Sequence, residues 1–242
     1  MKSSTDHNNL NLAQFHLDVV NQKADGKIIW QPRIQCWIDD KRYAGESLPE
    51  PYDNMTKPEM YRELGCSARI YEYNGCFERV EDDRVNKYSK KISEKQTRHI
   101  IETPVGKISS VTEEVDSTWA DMTKEWWITS EEDLKVAIWM EERCDYRWNQ
   151  DHFEKTYQKW GDLGAPTIFM PRINIQHLYI DMMGVENATY ALFDYSDTVE
   201  KYFEVLDKSH ERLIKIINES PIEIINFGDN VHAGTLSPDL FQ

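Results

Sequence analysis

The sequence predicts an α/β fold in which a parallel sheet is covered by helices. Short apolar runs at residues 27–30, 68–73, 164–170 and 222–227 alternate with stretches of helical periodicity. Such alternation is the pattern of strands joined by crossover helices. The runs are bounded by Gly, Pro, Asp or Asn, which break regular structure. The longest helical stretch, 198–219, places Val199, Phe203, Leu206, Leu213, Ile216 and Ile217 at helical spacing, as a helix covering a sheet requires.

In chain order, Leu12, Phe15, Val19 and Val20 give residues 10–23 a helical pattern that Asp25-Gly26 ends. Lys27-Ile28-Ile29-Trp30 reads as a strand, and the Gly-, Pro- and charge-rich residues 41–54 read as a loop. Thr56-Lys57-Pro58-Glu59 is a helix start, with Thr as cap and Pro just inside. A short helix ends at Gly65, and Ala68 to Tyr73 reads as a second strand. Tyr88, Ile92, Thr97, Ile100, Ile101, Val105, Ile108 and Val111 suggest extended segments, so an antiparallel hairpin or small sheet is predicted over 84–115, inserted between units of the main fold. Ser130 caps a helix to about Arg143, and 151–163 is a further helix. Helices at 175–183, 188–193 and 198–219 separate the strand 164–170 from the strand 222–227.

Composition narrows the function classes. Hydrophobic residues make up 40% and charged residues 29% of the 242, the balance of a folded chain rather than a disordered one. No apolar run approaches the roughly 20 residues of a membrane helix, and the polar first nine residues lack a signal-peptide core. A cytoplasmic protein is the expectation. The net charge of -15 argues against nucleic-acid and anionic-membrane partners. Lys90, Lys91 and Lys95 read as a solvated surface cluster. Cys36, Cys66, Cys76 and Cys144 show no C-x-x-C spacing and read as buried, inert thiols.

In parallel α/β architectures the functional groups lie past the carboxyl ends of the strands. Arg33, the stretch after Tyr73, Arg172 and Asp229-Asn230 all fall there.

Three stretches then resemble the uroporphyrinogen decarboxylase superfamily. Trp30-Gln31-Pro32-Arg33 followed by Leu48-Pro49-Glu50 is similar to the W-x-x-R and L-P-E of the decarboxylases. Gly164-Ala165-Pro166 matches a G-A-P that introduces a middle strand. His232-Ala233-Gly234-Thr235-Leu236-Ser237-Pro238-Asp239-Leu240-Phe241 resembles H-A-G-x-L-x-P-x-L-F after a barrel strand. The resemblance covers nearly the whole chain. It implies one domain over 1–242 of the (β/α)8 TIM-barrel type, incomplete at the C-terminus, with the hairpin inserted.

The departures from the decarboxylases lie at substrate-binding positions. After Arg33 the chain reads Ile34-Gln35-Cys36-Trp37, so Trp37 stands where the family has a second arginine. The neighbourhood Tyr71-Glu72-Tyr73-Asn74-Gly75 has no Asp to hold pyrrole N–H groups, and Glu72 is the acidic residue there. Val231 replaces a serine before H-A-G. An octa-anionic tetrapyrrole needs charge-assisted partners, and Asp39 and Asp40 lie beside Lys41 and Arg42. The superfamily's cobalamin-dependent methyltransferases have a looser N-terminal motif, so corrinoid-linked methyl transfer is the first expectation. Uroporphyrinogen decarboxylation is the alternative, and a truncated, non-catalytic fragment the third reading. The last rests on the chain stopping where the family begins another helix.

The candidate substrate-binding residues are Arg33, Trp37, Glu72, Asp229, Asn230 and His232, with no catalytic residue assigned. Each has a plainer reading: an ion pair for Arg33, a turn for Asp229 and Asn230, a loop anchor for His232. His177 and Asp181, four apart on a helix, could meet a metal but more simply meet each other. Trp119, Trp126 and Trp127 read as packing residues, and Glu131, Glu132 and Asp133 as a charged helix start. No cofactor or metal site is expected within these residues. Zinc and a corrinoid are what the methyltransferase resemblance would bring to a longer chain. The partners it implies are a tetrapyrrole or a methylated small molecule, a corrinoid protein, and a second copy of the chain in a homodimer.

Overall fold

A computed structural model describes residues 11–116, 118 and 120–228. The chain is a mixed α/β protein whose paired strands form three separate sheets. Among the described residues these sheets do not close into a barrel.

The N-terminal part is helical. Helix α1 (Leu12–Val20) starts at Asn11, whose side chain accepts from Gln14 N. Helix α2 (Ile34–Tyr43) follows the bend at Pro32-Arg33 and buries Ile38 against Leu48 and Met60. Helix α3 (Lys57–Glu63) opens with a capping box: the Thr56 hydroxyl accepts from Glu59 N while the Glu59 carboxylate accepts from Thr56 N at 2.7 Å. Two orphan N–H groups are thereby satisfied, which is why Thr and Glu at this spacing start a helix.

Two expected strands are absent. Residues 27–30 are irregular, joined to the next segment by Ser67 N donating to Trp30 O at 2.9 Å. Residues 68–70 are irregular and 71–76 form a 3-10 turn. Short apolar runs bury well in any backbone conformation, and here the ordering contacts are single bonds such as Ala68 N to Leu163 O at 2.7 Å, with no ladder.

Strands begin with β1 (Phe77–Val80), which pairs antiparallel with β6 (Asp145–Trp148). Between them lies a four-stranded antiparallel meander, β2 (Asn86–Lys91), β3 (Gln96–Thr103), β4 (Gly106–Glu113) and β5 (Met122–Glu125), in that spatial order. Of the hairpin or small sheet expected over 84–115, the structure has the sheet, which runs on to Glu125. Helix α4 (Glu131–Glu141) lies against β4, with Val136 and Met140 packed on Ile108.

Helix α5 (Gln150–Trp160) leads to β7 (Thr167–Met170). A helical run follows: α6 (Asn174–His177), a π turn (Leu178–Met182), α7 (Gly184–Asp194) and the 23-residue α8 (Ser196–Asn218). Then β8 (Ile224–Phe227) pairs parallel with β7, Thr167 opposite Ile224 and Met170 opposite Phe227. This is the crossover unit expected from the sequence. Val199, Tyr202, Leu206, His210, Leu213 and Ile217 of α8 are buried, three or four residues apart and thus on one face. The largest core joins α4, the π turn, α7 and α8, and a smaller one packs Leu213 and Ile217 against Ile168 and Met170.

Gly164, in the turn before β7, is required by space. A Cβ there would sit 2.4 Å from the Ala68 carbonyl oxygen. No described helix is long and apolar enough to cross a membrane.

Candidate functional site

The parallel pair β7–β8 positions a cleft. It has a volume of about 740 Å³ and opens where the two strands end, at Met170-Pro171-Arg172 and at Gly228. That volume is in the range of small-molecule sites, and the carboxyl end of a parallel sheet is where such sites form.

Four arginines line it: Arg33, Arg69, Arg79 and Arg172. Two are neutralised by carboxylates. Arg79 donates to Glu141 and to Glu81, each at 2.9 Å. Burial works against its charge, but Glu141 and Glu81 outweigh it and hold the guanidinium protonated. Arg172 donates to Asp181 at 2.9 Å, and Asp181 also accepts from His177 Nδ1 at 3.0 Å. His177 Nε2 meets the Tyr202 hydroxyl at 3.0 Å. Burial drives the Tyr202 phenol well above its ordinary value, so it stays protonated and donates. That leaves Nδ1–H of His177 to donate to Asp181, and both ring nitrogens are used. The chain Tyr202–His177–Asp181 thus holds Arg172 in place from behind.

The other two arginines make no ion pair among the described residues. Arg33, at the N-cap position of α2, meets the Cys36 sulfur at 3.9 Å. Arg69 stacks on aromatic rings, its guanidinium carbon 4.7 Å from the Phe169 centroid and 5.4 Å from that of Tyr71. Neither makes an ion pair with a described residue. The two rings themselves lie 4.4 Å apart. Stacking orients a guanidinium and leaves its in-plane N–H groups free.

His210 of α8 also lines the cleft. It is 5% exposed, its Nδ1 is buried without a partner among the described residues, and burial lowers its pKa, so it is neutral near pH 7. An unused ring nitrogen at a cleft wall is an available proton acceptor or donor.

A second cavity, of about 350 Å³, shares Arg33, Arg69 and Tyr71 with the cleft. It reaches toward Gln35, Cys36, Lys57 and Trp160.

The residues singled out from sequence divide accordingly. Arg33 lines both cavities, though it follows an irregular segment rather than a strand. Trp37 is 41% exposed on α2 and lines neither cavity. Glu72 lines the second cavity and is taken by Lys159 at 2.7 Å. Asp229, Asn230 and His232 lie outside the described residues; Gly228, just before them, borders the cleft. Arg172 stands where its strand-end position put it. His177 and Asp181 do meet, but inside the cleft wall rather than on the surface. Arg69, Arg79, Glu141 and His210 were not anticipated. The available signal was Arg69 itself, a charge between the apolar residues Ala68 and Ile70. Among the described residues no three His, Cys, Asp or Glu side chains group to hold a metal ion, so they do not fit a zinc site.

Comparison of the chain with protein-family models, curated proteins and solved structures finds no match.

Proposed function

We propose that this chain is an enzyme domain of the uroporphyrinogen-decarboxylase superfamily type, built on a (β/α)8 barrel plan, that holds a small anionic substrate in the arginine-lined cleft. The observation that carries this reading is the pair Arg33 and Arg69, two cations without a carboxylate partner among the described residues, at the carboxyl end of a parallel strand pair. Arg33 is exposed at the cleft mouth and Arg69 half-buried, so both guanidinium groups are accessible to a carboxylate or phosphate ligand, which they can hold bidentately.

Within that superfamily, corrinoid-linked methyl transfer is the first reading. The described carboxylates that line the cleft are already engaged: Glu141 with Arg79, Asp181 with Arg172 and His177. Among the described residues none is left to receive pyrrole N–H groups, which tetrapyrrole decarboxylation requires by the resemblance. The corrinoid would come on a separate protein or domain, and no step is assigned to zinc. One observation favours decarboxylation as the second reading. Arg33 and Arg69, which make no ion pair among the described residues, supply positive charge that a polyanion would need.

Two assays decide. Calorimetric titration with tricarballylate should give binding that weakens about tenfold in Arg33→Ala or Arg69→Ala, the loss of one charge-assisted pair. Unchanged affinity in both would sink the anion-site reading. Incubation with uroporphyrinogen should give no coproporphyrinogen, whereas incubation with methylcobalamin and a small thiol should give methylated thiol. Coproporphyrinogen formation would overturn the methyl-transfer reading in favour of the second.

A further inference from the structure

The second cavity carries hydrogen-bond capacity that the protein itself does not use. Trp160 lines it, is 5% exposed, and its Nε1–H is buried with no partner among the described residues. An indole nitrogen can only donate, so its unmet need is for an acceptor. Gln35 lines the same cavity, and its Nε2 is likewise buried without a partner while Oε1 lies 3.0 Å from the Tyr61 hydroxyl. That hydroxyl also lies 3.0 Å from Pro32 O, to which it can give its one proton. Turning the Gln35 amide over would exchange its ends and still leave one unpaired. A buried polar group without a partner costs about 1–3 kcal/mol unless one arrives, and two such groups belong to residues of this one cavity.

The rest of the wall states what that partner is. Arg33 and Arg69 contribute positive charge and make no ion pair with a described residue. The acidic residues on the wall are spoken for: Asp39 pairs with Lys57 at 2.8 Å and Glu72 with Lys159 at 2.7 Å. Tyr61, Tyr71 and Trp160 supply aromatic surface, with Tyr61 and Trp160 edge to face at 5.8 Å. The indole donor without an acceptor, two cations without an ion pair among the described residues and the aromatic wall are complementary to a flat apolar body that bears an anionic acceptor.

We propose that this second cavity is a binding site for a small aromatic carboxylate, its carboxylate held by Arg33 and Arg69 and an acceptor oxygen met by the Trp160 indole N–H. The site is distinct from the cleft, although it shares the two arginines, and it rests on the proposed anion-binding reading only through them.

The probe is 1-naphthoate, titrated calorimetrically against the 242-residue chain. Trp160→Phe keeps the ring and removes the donor; Gln35→Leu touches the same cavity from another element. Arg172→Gln alters only the cleft, since Arg172 does not line the second cavity. Naphthoate affinity should fall about tenfold in Trp160→Phe and severalfold in Gln35→Leu, and stay within twofold in Arg172→Gln. Tricarballylate binding should respond to Arg172→Gln and ignore Trp160→Phe. Melting curves establish that each variant is folded, and if Trp160→Phe is not, Gln35→Leu decides. Naphthoate that binds wild type and both cavity variants equally, or does not bind at all, overturns the proposal while leaving the tricarballylate result, and so the cleft, intact. Failure of tricarballylate with success of naphthoate would overturn the cleft reading alone.

Discussion

The side chain of Asn74 acts as a strand partner to Phe169: its Nδ2 donates to Phe169 O at 2.8 Å and its Oδ1 accepts from Phe169 N at 2.9 Å. One amide thus satisfies both backbone groups of a residue in β7, the strand whose other neighbour is β8. The same Phe169 ring carries the Arg69 guanidinium, so the amide sets the height of an arginine it never touches. Asn74→Ala should lower stability by about 1 kcal/mol, the worth of exposed hydrogen bonds, and weaken tricarballylate binding. Asn74→Asp keeps the acceptor and sets a carboxylate against the Phe169 carbonyl, so it should be no better. Thermal melts and titrations of both variants check this; full anion affinity in Asn74→Ala would disconnect the amide from the site.

Gly164 offers a test of packing alone. A methyl group there meets the Ala68 carbonyl, backbone that is itself fixed by the bond from Ala68 N to Leu163 O. Neither side can move without breaking that link. Gly164→Ala should cost about 2 kcal/mol, within the usual range for overpacking. Urea unfolding should show a lower midpoint with an unchanged slope. An unshifted midpoint would mean that the 164–166 turn gives way freely.

The cysteines separate by environment. Burial pushes the Cys66 and Cys76 thiols up to about 11 each, and burial also raises Cys144 despite the nearby Arg79 guanidinium. Thiolate, the reactive form, is scarce at all three. Cys36 is half-buried and borders the second cavity. Native protein treated with a disulfide reagent at pH 8 should lose one thiol quickly, and Cys36→Ser should abolish that phase. Naphthoate should slow it. Rapid modification at Cys66 or Cys76 would contradict the packing described around them.

Acid stability should depend on Glu81. Burial alone would raise its carboxyl pKa, but hydrogen bonds from Arg79 and Lys87 outweigh burial and hold it below the ordinary 4.5. A carboxyl more acidic folded than unfolded stabilises the fold fully above pH 4.5. That contribution is lost as pH falls through the lower folded value. Glu81→Gln should therefore lose about 1 kcal/mol at pH 7 and show a flatter melting temperature profile below pH 4.5 than wild type. Parallel profiles for the two proteins would remove Glu81 as a source of acid sensitivity.

Sequence periodicity revealed the parts of the fold where one face is buried over many residues. Helix α8 and the β7–β8 crossover unit were legible because Val199, Leu206 and Leu213 repeat at helical spacing between two β-rich runs. The Thr56–Glu59 box was legible because its chemistry is local. The runs 27–30 and 68–73 misled because apolar content marks burial, not backbone conformation; their order comes from contacts to Ser67 and Leu163, far apart in the chain. Arg33 and Arg172 could be found from their places beside proline and a strand end. Arg69 and His210 could not, since what makes each notable is the absence of a partner, and that is a property of the folded surroundings. Trp37 and Glu72 were read from motif alignment, and neither reaches the cleft.

Arg33 and Arg69 form a wall between two cavities, and one consequence follows from charge. An anion seated on either side draws on the same pair of guanidinium groups. The second anion then meets cations already partly neutralised, as well as the repulsion of the first. Occupancy of the two cavities is for that reason antagonistic, and linkage makes the antagonism reciprocal: whatever factor naphthoate imposes on tricarballylate, tricarballylate imposes on naphthoate. Two anions bound side by side would thus compete for one pair of guanidinium groups.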